Sequence, residues 1–505
     1  MLRALAIVSV CCLCCIAAGA PRQANPGAVP PLAAPSSFPT LPGFGVSPTP
    51  APLGSPTSSP LTSDQMQKID QLAQAQLVQQ AIPGLSLAIV RGGNVVYARG
   101  YGYASLELQQ VASESTLYEA GSIAKQFTAG AVLLLAEDGK LSIDAPLAAF
   151  VPDFPNAKTI TLRELLTMTS GIPDYTDLPM FDQAPQSDVT PATIVALVKD
   201  QPLDFKPGTS WEYSNTNYVL LGMVIEKVSG ESYANFINTR IIRPLSMNAT
   251  QDGNAGASSP NLATGYTFDG QTLKLDQPWD LDWAYATGDL VSNVLDLAVW
   301  DTSLLAGKAV TIGSLREMWT PLTLPDGTQV PYGFGWSVGR LDGHRVIDDN
   351  GGLPGYNGRN ALFPNDDFDV IVLANSKAFD AGPIVRGVFE QFFPPTPAEL
   401  AEQSQGDDAA LAHARDVFHR LQTGTLDVSQ LTPQAAKRFS AKILDQAKSS
   451  LGRLGQPLRF DQTDKYPFGT TTEYYYRVTF KDGVLGFSLS FDASGAVGEV
   501  TAWPL

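Results

Sequence analysis

Ser122-Ile123-Ala124-Lys125 places a nucleophile and a basic group on one short segment, and it is the only Ser-x-x-Lys in the chain. It stands at the start of an apolar run with helical spacing. Residues three apart on a helix share a face, about one turn from each other. A Ser and a Lys so placed can share a proton, which a hydroxyl must lose before it attacks a carbonyl. The expected chemistry is acyl transfer through Ser122, with Lys125 in the role more often given to histidine.

Such a pair needs a scaffold, and the surrounding pattern predicts one. The helix opening near Ser122 runs through Phe127, Ala131, Leu134 and Leu135 to a stop at Gly139. Before it, a helix pattern from Asp64 (Ile69, Leu72, Ala73, Leu77) leads into two strands, 84–90 and 94–101. Arg91-Gly92-Gly93 between them is a hairpin signal. From Thr161 to about Val310 the pattern is mostly helical, interrupted by Pro and Gly loops. Strand signals return at 332–338, 345–348, 359–363 and 369–373, the last two joined by Pro364-Asn365-Asp366-Asp367. A chain that leaves strand, runs through helices and returns to strand predicts one sheet built from both ends.

The composition changes near Pro394-Pro395-Thr396-Pro397. Two helices, about 398–421 and 432–451, are expected after it, then strands at 474–481, 484–492 and 496–503. Asp482-Gly483 marks the first strand turn. The fold class read from this order is α+β: an antiparallel sheet flanked by helices, with a large helical insertion, plus a small C-terminal α+β domain. The expected boundaries are a leader at 1–20, a linker at 21–62, the main domain at 63–395 and the accessory domain at 396–505. No internal repeats are visible.

Composition narrows the class of function. The 505 residues carry 33 Lys+Arg against 50 Asp+Glu, a net charge of −17. That balance argues against nucleic acid and anionic lipid as partners. Arg3, the apolar stretch from Ala4 to Ala18 broken only by Ser9, and the small residues Ala17 to Ala20 read as an export signal. The stretch is too short for a comfortable membrane span, so a secreted or periplasmic protein is expected, with no span left after signal removal. Cys11, Cys12, Cys14 and Cys15, the only cysteines, all lie in that signal. The mature chain then has no disulfide, thiolate chemistry or Cys-based zinc site. The Pro-, Ala- and Ser-rich residues that follow, such as Ser47-Pro48-Thr49-Pro50, cannot bury a core and suit an extended tether.

A lone Ser-x-x-Lys is a weak signal, and its company decides. Phe205-Lys206-Pro207-Gly208-Thr209-Ser210-Trp211-Glu212-Tyr213-Ser214-Asn215 follows about eighty residues on, opening an apolar helix that ends at Gly230. Leu162 to Gly171, Pro244-Leu245-Ser246-Met247, Tyr332-Gly333-Phe334-Gly335-Trp336 and Gly351-Gly352-Leu353-Pro354-Gly355-Tyr356 complete the set. In this order, over about Asp64 to Phe393, the chain resembles the serine β-lactamase and penicillin-binding-protein superfamily, in its class C-like branch of peptidases and esterases.

The resemblance implies that Ser122 is the nucleophile at the positive end of its helix, and that Lys125 and Tyr213 form the proton relay. It implies that Asn215 holds the substrate's acyl amide or the lysine. The backbone N–H groups of Ser122 and Gly352 would form the oxyanion hole. No metal or organic cofactor is required. A second Tyr-x-Asn, Tyr233-Ala234-Asn235, lacks the Pro-Gly-Trp context and reads as core packing.

Two positions depart from the pattern. Where relatives carry Lys-Thr-Gly or His-x-Gly on the strand lining the site, this chain has Asp349-Asn350-Gly351. An anion replaces a cation that helps hold a substrate carboxylate, and should repel that group by about a few kcal/mol if poorly solvated. A salt bridge from Arg345 or Arg359 would mute the effect. The second departure is Asp289, in Ala286-Thr287-Gly288-Asp289-Leu290-Val291-Ser292, where relatives tend to have Gly-Gly-Leu.

The expected substrates are therefore small esters, amides or peptides, neutral or bearing a free amine, with weak activity on β-lactams. The competing reading is a catalytically silent binding protein of the same fold, recognising cell-wall peptide or another partner. A Ser-His-Asp hydrolase is disfavoured, since only His344, His413 and His419 exist and no Gly-x-Ser-x-Gly elbow is present. Zinc chemistry lacks a ligand set. Oligomeric state is not readable.

Overall fold

The computed structural model describes Val8–Ser9 and residues 61–504, apart from 183–186, 257, 269–271, 328, 331, 397–406, 433–434, 437–438, 440, 469–470, 482 and 493. Most of the expected leader and of the expected linker therefore lies outside the described residues. Val8–Ser9 pair with the last strand of the chain.

The first helix, α1 (Ser63–Gln79), starts at a capping box in which Thr62 and Gln65 satisfy each other's backbone donors. It buries Ile69 and Ala73 against one face of a seven-stranded sheet. The sheet's N-terminal strands are β1 (Gly84–Arg91), β2 (Asn94–Ser105) and the short β3 (Gln110–Val111). Its remaining strands come some 230 residues later: β7 (Ser337–Leu341), β8 (His344–Leu353), β9 (Tyr356–Phe363) and β10 (Phe368–Ala374). Between them lie β4 (Tyr118–Glu119), β5 (Gln251–Asp252) and β6 (Leu290–Ser292), which form a separate three-stranded ribbon in the order β4-β6-β5.

The order in the large sheet is β7-β8-β9-β10-β1-β2-β3, with every neighbour antiparallel. The two ends of the segment meet where β10 pairs with β1, as in Ile371 opposite Ala88. The expected sheet built from both ends is thus present.

Side chains alternate across this sheet. Leu87, Ile89, Ala361, Val370 and Val372 face α1 and α5 (Gly382–Phe392). Ala88, Val90, Ile347, Leu362, Ile371 and Leu373 face the helical region. That second layer is led by α2 (Ala124–Glu137), α3 (Asn215–Ser229) and α4 (Val294–Leu305). With both faces covered, β10 is buried along its whole length, which is why its sequence is nearly continuous apolar residues.

Two strand boundaries differ from the sequence expectation. Residues 332–336 are a tight turn, in which Gly333 N–H donates to the Trp336 carbonyl and Gly335 takes φ +76°; the ladder starts only at Ser337. The strand expected at 345–348 runs instead to Leu353. Asn350-Gly351-Gly352 looks like a breaker, yet it pairs in register with Arg359, Gly358 and Asn357.

The C-terminal segment builds its own core from Val417, Phe418, Leu421, Phe460, Phe487 and Leu489. Helices α6 (Asp407–Thr423) and α7 (Ala441–Leu451) accompany an antiparallel meander, β11 (Arg459–Phe468), β12 (Thr471–Phe480), β13 (Gly483–Asp492) and β14 (Val497–Pro504). The early part of the helix expected from 398 lies outside the described residues. Strand β11 was not expected: it is rich in polar residues, ends in Pro467-Phe468, and carries a bulge between Gln462 and Asp464.

Candidate active site

The nucleophile segment is a tight turn, Gly121–Ile123, that runs straight into α2. Gly121 adopts φ +53°, and a Cβ there would lie 2.7 Å from the backbone nitrogen of Gly352. A Cβ on Gly351 would lie only 1.9 Å from the Ala120 carbonyl oxygen. Glycines on both sides therefore let β8 press its backbone against the turn that carries Ser122. Gly352 is exposed and Ser122 half-buried, so the two meet at the surface of a cleft.

Lys125 projects from the first turn of α2 and is fully buried. Its Nζ donates to Ser122 Oγ at 3.0 Å and to the Thr287 carbonyl at 2.9 Å. Tyr213, two residues before α3, donates its hydroxyl to the same Oγ at 2.8 Å. The lysine Nζ also lies 5.0 Å from the centre of the Tyr213 ring and 5.8 Å from that of Tyr218, distances at which a ring face attracts a cation. One serine oxygen thus receives two donors, one from α2 and one from the loop that leads into α3. Either partner, when unprotonated, stands within reach of the serine proton.

The other expected residues are placed as follows. Asn215, the first residue of α3, gives its amide N–H groups to Asp174 Oδ2 at 2.9 Å and Thr176 Oγ1 at 3.3 Å. Burial lifts the Asp174 carboxyl above its ordinary range, while hydrogen bonds from Thr176 and Asn215 and the Lys125 charge pull it back. Asn350 is exposed.

Asp349 is only 7 % exposed and sits opposite Asn360 across the ladder. Neither arginine takes the expected part. Arg359 Nε donates to Asp348 at 2.6 Å and Arg345 donates to the Trp319 carbonyl. Asp349 Oδ2 has no hydrogen-bond partner among the described residues. Burial drives its carboxyl well above the usual range, Lys125 opposes this, and Asp348 adds to it. The expectation of a repelling anion is revised accordingly: the position has lost its cation, but burial favours the neutral acid.

Asp289, two residues beyond Thr287, lines a cavity formed with Tyr233 and Met247. Tyr233 itself is buried and bonded to Thr128, as core packing requires. His344 lies 2.9 Å from Asp366 and packs on Phe389 and Phe393 of the α5 side, which leaves it no part at Ser122.

Sequence reasoning missed three contributors. The Thr287 carbonyl is a backbone group and leaves no side-chain signature. Asp174 stands beyond the Thr-Ser-Gly171 motif in a loop with no spacing rule. Tyr332 was placed in a strand, but its ring meets Tyr213 edge-on, centres 6.3 Å apart, and so braces the relay phenol.

Comparison with known proteins bears on the family and the fold. Residues 69–388 match the family model described as Beta-lactamase. Protein flp of Staphylococcus aureus (strain MW2) is 32 % identical over 328 residues, 62 % of this chain and 64 % of flp. The chain therefore spans less than two thirds of that relative's length. A D-stereospecific amidohydrolase from Streptomyces sp. superposes with a TM-score of 0.57 at 28 % identity, over 65 % of this chain and 99 % of its own. The octameric penicillin-binding protein homologue from Pyrococcus abyssi, at 24 % identity and TM-score 0.58, shares the fold over 87 % of this chain and 96 % of its own. Among the described residues no helix is long and apolar enough to cross a membrane. The family match takes in every strand of the seven-stranded sheet and the turn it grips, and the chain belongs to the beta-lactamase family.

Proposed function

We propose that this protein is an exported serine hydrolase that cleaves a small ester or amide, including peptide amides, through an acyl-enzyme on Ser122. The observation that carries the reading is the convergence of Lys125 Nζ and Tyr213 Oη on Ser122 Oγ, at 3.0 and 2.8 Å.

Ser122 Oγ attacks the substrate carbonyl and its proton passes to the Lys125–Tyr213 pair. The N–H groups of Ser122 and Gly352 hold the developing oxyanion, supported by the contact of Gly352 with the nucleophile turn. The tetrahedral intermediate collapses, and the departing amine or alcohol takes its proton from the same pair. Water then repeats the sequence on the ester and frees Ser122. Asn215 and Asn350 border the cleft as substrate contacts. Asp349-Asn350-Gly351 offers no cation for a substrate carboxylate, which disfavours β-lactams and carboxy-terminal peptides and favours neutral substrates or those with a free amine. The amidohydrolase likeness supports amides.

Asp349 also favours a second reading, a silent binder of cell-wall peptide or another partner, since it removes a charge that relatives use. Intact-protein mass spectrometry with a short p-nitrophenyl ester, beside Ser122→Ala, separates the two. A transient adduct with turnover, absent from the variant, establishes the hydrolase. No adduct and no turnover with any ester, amide or lactam tried favours the binder.

A further inference from the structure

A cavity of about 480 Å³ lies apart from the cleft, between the segment from Tyr233 to Thr250 and the ribbon strands β5 and β6. Its wall includes Asp289, 7 % exposed, whose Oδ1 has no hydrogen-bond partner among the described residues. Asp252, from the neighbouring strand, lines the same space and is close enough to raise the Asp289 carboxyl further. A buried carboxyl oxygen without a donor is costly, and its residue lines a space large enough for a small molecule.

The lining tells which class of molecule. Ile237, Ile242, Met247 and Leu290 add apolar surface beside the two carboxyls. Asn238 and Asn248 stand exposed at the mouth, as does Arg243, which disfavours a multiply charged cation. A bare metal ion would need a convergent oxygen shell. Among the described residues, the one group of three carboxylates close enough to share an ion is Asp188, Asp280 and Asp282, which is not part of this cavity. A cavity lined by both acid and hydrocarbon suits an ammonium head on an alkyl stem.

We propose that this cavity binds a primary alkylammonium group, the ammonium donating to Asp289 and Asp252 and the stem lying on Met247 and Leu290. The site does not depend on the hydrolase reading and is tested without an activity assay.

Calorimetric titration of the full chain with n-butylammonium should give a millimolar or tighter dissociation constant. Asp289→Asn should weaken it at least about tenfold, and an unchanged melting temperature shows that the variant still folds. Asn238→Trp, at the exposed mouth, should block entry while leaving the buried floor intact, so the test survives if Asp289→Asn does not fold. Nα-acetyl-lysine methylamide identifies the source: equal binding supports a peptide-borne lysine, and weaker binding supports a free amine. No heat with n-butylammonium up to about 10 mM, equal affinity of wild type and Asp289→Asn, or equal binding of tetramethylammonium, which has no N–H to donate, would overturn the site.

Discussion

Arg359 binds Asp348 and leaves its neighbour Asp349 on the opposite face of the sheet, where Lys125 lies close enough to lower the Asp349 carboxyl. Adjacent residues of one strand point to opposite faces, so a one-residue step separates a satisfied ion pair from a buried acid beside the nucleophile.

Replacing Asp349 by His should restore a cation at that position. Hydrolysis of a carboxylate-bearing cephalosporin should rise about tenfold or more relative to a neutral ester, since one charge interaction in a partly desolvated site is worth about 1–3 kcal/mol. The ratio of kcat/KM values for the two substrates is the measurement. An unchanged ratio would show that the position does not select substrate.

Tyr213→Phe removes one of the two donors at Ser122 Oγ and keeps the ring that packs on Tyr332. Turnover of a p-nitrophenyl ester should fall by about 10²- to 10⁴-fold, with little change in melting temperature. Loss of fold by circular dichroism would instead give Tyr213 a structural role.

Gly351→Ala should disturb the site through geometry alone. The added methyl meets the Ala120 carbonyl at 1.9 Å, so β8 and the nucleophile turn must part. The expected result is a fall in kcat of at least about tenfold, because small misplacements of reacting groups are expensive, while the far-ultraviolet spectrum stays native.

Glu119, in the strand just before the nucleophile turn, is 5 % exposed, and burial pushes its carboxyl up to about 8, with Asp276 adding to the rise. A carboxyl raised in the folded state keeps its proton there after the unfolded chain has lost it. Its stabilising effect is therefore complete below the unfolded pKa, about 4.3, and is lost as the pH climbs to about 8. Glu119→Gln, always neutral, should gain stability relative to wild type between pH 5 and pH 8, by on the order of a few kcal/mol. Melting curves at the two pH values check this; a constant difference would place the titration elsewhere.

The pieces of the site visible in the sequence are those whose chemistry is carried by side chains at short fixed spacings. Ser122 and Lys125 are a helical pair, and Tyr213 is announced by Pro207-Gly208 and Trp211. What stays hidden depends on tertiary approach. Thr287 contributes only a carbonyl, and Asp174 is brought to Asn215 from 41 residues away. The burial that raises the Asp349 carboxyl follows from layers packed on both sheet faces, which no local pattern reports. The same holds for the strands: β10 reads plainly because both its sides are apolar. The end of β8 does not, because glycines that look like a break are there to admit the nucleophile turn.

The pairing of β10 with β1 also sets a schedule. Leu85 and Ala374 pair at one end of that ladder, yet along the chain they stand on either side of Ser122 and Lys125. A chain growing from its amino end displays Ser122 and Lys125 long before it contains Gly352 or the strand that closes the sheet, and contacts at such separation form late. An unfinished polypeptide therefore carries the nucleophile without the donors and walls that make it reactive, and chemical competence comes with the final closure of the sheet.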